Sequence, residues 1–187
     1  MIPANDPFIL SRQVDLLYRN LRMGQIVSMI NASFLTWIAF PFVKPSYLGM
    51  WWLLAVTVAG LRIAVAARFY ATEETVRHST SVYWRQRALI GSVISSVIWS
   101  AGTLLLMTAG DTILQLFTAF IMAGMVAGAV PVLAVGRLVF RSYGWPIILA
   151  VIIGAFGTDS LHMSFSAMAL LFMAIATRSA DHFHDTL

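Results

Sequence analysis

A chain of 187 residues that is 59% hydrophobic and only 11% charged, with a mean hydropathy of +0.82, lacks the polar surface a soluble globule of this size requires. Its formal net charge of +4 comes from arginines scattered between long apolar runs, without the basic stripe and interleaved aromatics of a nucleic-acid binder, so that partner is excluded. The absence of cysteine excludes disulfides, thiolate metal sites and cysteine nucleophiles. The expected fold class is all-α: a polytopic membrane protein with six transmembrane helices.

Residues 1–23 carry charges where a signal peptide would be apolar. Leu10, Val14, Leu17 and Leu21 recur there at four- and three-residue steps, with Tyr18 beside them, while Arg12, Asp15, Arg19 and Arg22 take the other faces. That pattern predicts an amphipathic helix lying in the interface of the cytoplasmic leaflet. A span needs roughly 20 mostly apolar residues. Residues 24–43 and 47–67 supply the first two, the second with Trp51 and Trp52 at an interfacial level. The polar stretch ATEETVRHSTSVYWRQR then reads as a loop whose Tyr83 and Trp84 mark the return to the headgroups.

Residues 88–107 and 114–136 supply the third and fourth spans, and RLVFRSYG reads as the connection after them. Two shorter runs follow, 145–158 and 161–177. Fourteen residues make a helix of only about 21 Å, so the fifth span must borrow from its flanks or thin the bilayer, with a re-entrant hairpin as the alternative. Residues 178–187 turn polar with no stop signal, and are expected to begin a cytoplasmic connector helix.

Arginine sets the orientation. Arg12, Arg19, Arg22, Arg68, Arg77, Arg85, Arg87, Arg137, Arg141 and Arg178 all fall on one side of this scheme. The opposite loops hold Lys44, Asp111 and Asp159, which places both termini in the cytoplasm.

Candidate functional residues are few. Arg62 is a charge inside an apolar run; its favoured reading is snorkelling to the headgroups, and the alternative is a functional buried charge. Asn31 lies mid-span with Ser28 and Ser33 nearby, as an interhelical hydrogen bonder or, in the minority reading, a ligand contact. Gly124 and Gly128 form a small-xxx-small step expected to let another helix approach closely, and Pro131 after them predicts a kink. Asp111, Asp159 and His162 gather at the outer ends of spans and could form a polar mouth, although capping and solvated turns explain both aspartates equally well. His162 has no histidine at matching depth, and His182 and His184 point to nearly opposite helix faces, so neither haem nor metal is expected. No catalytic motif is present, and no pair of acids lies within the membrane as a proton-coupled transporter would need.

Three segments carry a resemblance: QVDLLYRNLRMGQIVSMINA, FTAFIMAGMVAGAVPVLA and the exit RSADHFHDTL. They resemble the amino-terminal membrane sensor regions of bacterial cyclic-di-GMP enzymes (GGDEF and GGDEF–EAL proteins) and of some hybrid histidine kinases. The resemblance implies a sensor at 24–177, in the bacterial cytoplasmic membrane, whose last helix leads to an output domain that makes or breaks cyclic-di-GMP. It carries over no catalytic residue and no cofactor. The partners expected are the lipid bilayer, a second copy in a homodimer, and a small or lipophilic ligand. A small complete permease-like protein and a haem-bearing redox protein are the rival readings.

Overall fold

Prolines, glycines and short polar turns divide the chain into seven helices, with no strand among the described residues, 7–156 and 160–185 of a computed structural model. α1 (Pro7–Ala39) stops before the turn holding Pro41. α2 (Pro45–Ala71) opens on a proline, whose missing N–H would have been unpaired there in any case. The six-residue α3 (Glu74–Ser79) leads into α4 (Ser81–Met107). In the next turn Gly110 takes φ +81°, a left-handed conformation that a side chain would strain. The Asp111 carboxylate then caps α5 (Thr112–Leu133) by accepting from the Leu114 N–H at 2.8 Å. α6 (Arg137–Gly154) and α7 (Ser160–Asp185) complete the bundle.

The chain is all-α, and α2, α4, α5, α6 and the His162–His184 part of α7 are long and apolar enough to cross a bilayer. Large apolar side chains such as Trp37, Phe120 and Leu171 stand exposed on the outside, as lipid-facing residues do. α4 lies along α6, α1 packs on α2 and α5, and α7 closes against α6 and α5. The fifth apolar run does borrow from its flank: RLVFRSYG is not a connection but the first turns of α6, which gives that helix 18 residues.

The division expected near residue 23 is absent. α1 is one helix of 33 residues, about 50 Å long, and its Val14, Leu17, Tyr18 and Leu21 are buried within the protein rather than against headgroups. Protein covers that face because aromatic partners meet it. Tyr18 stacks on Phe69 at 4.2 Å, and Trp84 stands edge-on to it at 5.8 Å. The Tyr18 hydroxyl donates to the Trp84 carbonyl at 3.1 Å, and burial pushes its pKa up to about 12, so it stays protonated as a donor. α3 docks alongside, with His78 Nδ1 at 2.9 Å from Ser11 Oγ.

One further tryptophan departs from the interfacial role. Trp51 is buried and donates its indole N–H to the Ile98 carbonyl at 3.0 Å, crossing over Gly102 of α4. Trp52 donates to Ser33 Oγ at 3.0 Å. At the arginine-rich end, Arg141 Nη2 reaches both carboxylate oxygens of Asp181, at 3.1 and 2.8 Å, and His184 Nδ1 lies 2.9 Å from the Val135 carbonyl. These contacts tie the last turns of α7 to the α5–α6 junction.

Candidate functional site

The site grows from one side chain. α2 turns Arg62 toward α4, which presents Ser92, Ser95, Ser96 and Trp99 at i, i+3, i+4 and i+7 on one face. Gly91 makes the room: a Cβ there would lie 3.2 Å from Arg62 Nε. The guanidinium donates from Nη1 to Ser95 Oγ at 3.0 Å and from Nη2 to Ser92 Oγ at 3.3 Å. Arg62 is only 7% exposed, so the snorkelling reading is wrong. The side chain has found polar partners and space inside the bundle, and it turns there instead of to the headgroups.

The charge itself is not neutralised. All eight acidic residues of the sequence lie outside the apolar runs, and none lines the space around Arg62. A charge at mid-bilayer depth costs about 2.5–3.5 kcal/mol on insertion scales. Hydrogen bonds to a charged group contribute about 1.5–3 kcal/mol each, so two serines offset a cost of that order. They satisfy donors of a group that has five, without supplying an opposite charge.

Arg62 opens into a cavity of about 370 Å³ between α1 and α5, within the 300–1,000 Å³ range typical of small-molecule sites. Its floor is polar: Gln25 and Ser28 of α1, Arg62, Ser95 of α4 and Tyr143 of α6. Its rim holds Met23, Val27, Gly124, Gly128, Pro131 and Val132. Asn31 lines it too, making no hydrogen bond to another helix among the described residues. The Trp99 indole fixes one edge by donating to Ser28 Oγ at 3.1 Å.

Residues singled out separately in the sequence, Asn31, Arg62, Gly124, Gly128 and Pro131, are thus brought together. The two glycines do not play the part expected of them within this chain. Among the described residues, a Cβ added at either meets no atom within 4 Å, so neither glycine is used for a close helix contact there. Their missing side chains leave the cavity open between α1 and α5. Pro131 lies inside α5, which continues to Leu133.

The outer candidates do not join this site. Asp111 is engaged in capping α5. His162 is buried, with Nε2 at 2.7 Å from Gln115 Oε1, while Gln115 Nε2 donates to the Met107 carbonyl at 2.7 Å. That chain of contacts ties α7, α5 and α4 together rather than forming an open mouth. Asp159 lies outside the described residues. Among the described residues no three His, Asp or Glu side chains gather as metal ligands.

Sequence reasoning missed Gly91, Ser92, Ser95, Gln25 and Tyr143. A signal was present in the serines of GSVISSVIWS, whose helical spacing marks the inward face of an otherwise apolar span. Gln25, Ser28 and Asn31 give α1 a polar side that lines the cavity. Comparison of the chain with protein-family models, curated proteins and solved structures gives no match.

Proposed function

We propose that the chain is a membrane-embedded sensory module of a bacterial signalling protein. The cavity around the un-neutralised Arg62 receives the stimulus, and α7 passes the response to a cytoplasmic output domain. The observation that carries this reading is the cavity: a buried cation facing space, in a bundle whose sequence has no catalytic motif. The ties from Asp181 and His184 to the α5–α6 junction support a role for α7, since α5 also forms the cavity rim. The resemblance to sensor regions of cyclic-di-GMP enzymes and hybrid histidine kinases supplies the class of output. In this reading residues 24–39 of α1 form a sixth span, and the arginine-rich end is cytoplasmic.

Helical phase provides the test in the protein that carries the output domain. One residue inserted between Ala176 and Asp185 rotates everything downstream by about 100°. Seven added residues leave an error of only about 20°. The single insertion is expected to lock or scramble the cellular cyclic-di-GMP level, or autophosphorylation for a kinase output. The seven-residue insertion should largely preserve regulation. Equal tolerance of both would make α7 a tether and the module an anchor. Orientation is tested on the native background, which has no cysteine. Cysteines at Lys44 and Asp111 should react with an impermeant reagent outside intact cells, and those at Thr80 and His184 should not.

A further inference from the structure

The cavity has two chemical halves. Its floor holds one cation, Arg62, with Gln25, Ser28, Ser95 and Tyr143 around it and no acid. Its rim is mostly apolar and uncovered: Met23 is 68% exposed and Val27 46%, and Gly124, Gly128 and Pro131 are exposed across from them, with exposed Asn20 and half-buried Asn31 as its polar members. A free hydrophilic anion would match the floor but leave the exposed apolar side of the opening, at Met23, Val27 and Pro131, unmatched. A neutral lipid would match the rim and leave the cation without a counter-charge. An occupant that satisfies both halves carries a single anionic head and an apolar tail.

From this division we propose that the cavity binds a single-tailed amphiphile with an anionic head, a carboxylate or a phosphate. The head sits on Arg62, and the tail leaves between α1 and α5 into the bilayer. Oxygen anions of either kind accept from a guanidinium and from amide or hydroxyl donors, so the head could come from a fatty acid or a lysophospholipid. Entry is lateral, from the lipid, through the gap left by the two glycine positions. Gly91 belongs to the same device, because the Arg62 side chain lies against α4 where a Cβ would crowd its Nε at 3.2 Å. The inference rests on the sensory reading for its biological meaning, but its test needs no output domain.

The purified full chain in nanodiscs of a neutral phospholipid is exposed to photoreactive oleate carrying a diazirine in the tail, and the cross-linked residues are mapped. Labels should concentrate on α1 and α5 beside the rim. Unlabelled oleate or oleoyl lysophosphatidate should compete, and their relative potency tells which head is preferred. Mono-oleoylglycerol, with the same tail and no charge, should compete at least tenfold more weakly. Arg62→Met should lower rim labelling by tenfold or more. Gly128→Leu, whose Cβ meets no atom within 4 Å and whose longer chain narrows the gap from the other side, should do the same while the thermal melt is retained. Phe120→Ala, on an exposed face outside the cavity, should change nothing.

Labelling spread over all lipid-facing helices, or equal competition by the neutral lipid, would overturn the proposal. So would competition by inorganic phosphate alone, which would mark a site for a free anion. If Arg62→Met does not fold, Gly128→Leu alone decides: unchanged labelling there overturns the proposal. Binding lost with the helical-phase result intact would reject this ligand class and leave the sensory reading standing. The reverse result would do the opposite.

Discussion

The α2–α4–α6 seam and the α1–α5 groove both use glycine, and they use it in opposite ways. In the seam the space above each glycine is filled. The Trp51 indole lies over Gly102 and the Met107 side chain lies against Gly154, while outside the seam the Met173 methyl of α7 lies 3.0 Å from where a Cβ of Gly144 would be. In the groove, Gly124 and Gly128 face nothing within 4 Å. The two glycines of the Gly-xxx-Gly step are left open, and close approaches occur at Gly102, Gly144 and Gly154, none of which has a glycine four residues away. A small residue in a membrane helix permits contact without requiring it. Which of the two results depends on whether the opposing helix brings a side chain to fill the space.

The sharpest way to break this contrast is Gly102→Ala. The new Cβ lands on the Trp51 indole, which must swing away and give up both its hydrogen bond to the Ile98 carbonyl and its edge-on contact with Trp99 at 5.4 Å. Overpacking together with the lost bond should lower stability by about 2–4 kcal/mol, read from unfolding in detergent. A loss under about 0.5 kcal/mol would mean that the seam is soft and the contrast false.

Gly154→Ala should cost about 1–3 kcal/mol, because the atoms it meets are the inner carbons of Met107, which cannot move aside as a chain end could. Gly124→Ala and Gly128→Ala should be neutral, or stabilising by up to about 1 kcal/mol from helix propensity alone. If either instead destabilises as strongly as Gly102→Ala, another molecule covers the groove in the folded protein. A second copy would then show as a changed mass by light scattering. The smallest effect belongs to the half-exposed pair at the far end. Asp181→Asn should cost no more than about 1 kcal/mol, measured by the same unfolding.

The helices were largely legible in the sequence, because backbone at bilayer depth must pair its own hydrogen bonds and a long apolar run therefore becomes a helix. Which face of each helix turns inward was far less legible. In water, polarity marks the outside, but these helices are apolar on both sides, so the hydropathy of α4 does not separate Trp99, buried, from Val97, exposed. The aromatic residues show the same limit. Trp51 and Trp84 were assigned to the interface by type, and neighbours remote in sequence, Ile98, Phe69 and Tyr18, decided otherwise. Arg62 was correctly recognised as unusual, yet its destination depended on two serines about 30 residues further on and on the absent side chain of Gly91. α1 read as two elements because its composition changes near residue 23, although its backbone does not break there.

Pro131 gives α5 an uneven stiffness along its length. Having no N–H, it leaves the Ala127 carbonyl without its helical partner, so the helix below that point is held by one strand fewer of its own lattice. Four residues later comes Val135, where His184 of α7 is moored. The missing bond thus falls within the stretch of α5 that borders the cavity, just before the mooring of the last helix. Under the proposed sensory reading, a lateral load on that wall would deflect the short end of α5 and α7 with it, the Trp51–Gly102 contact serving as the frame.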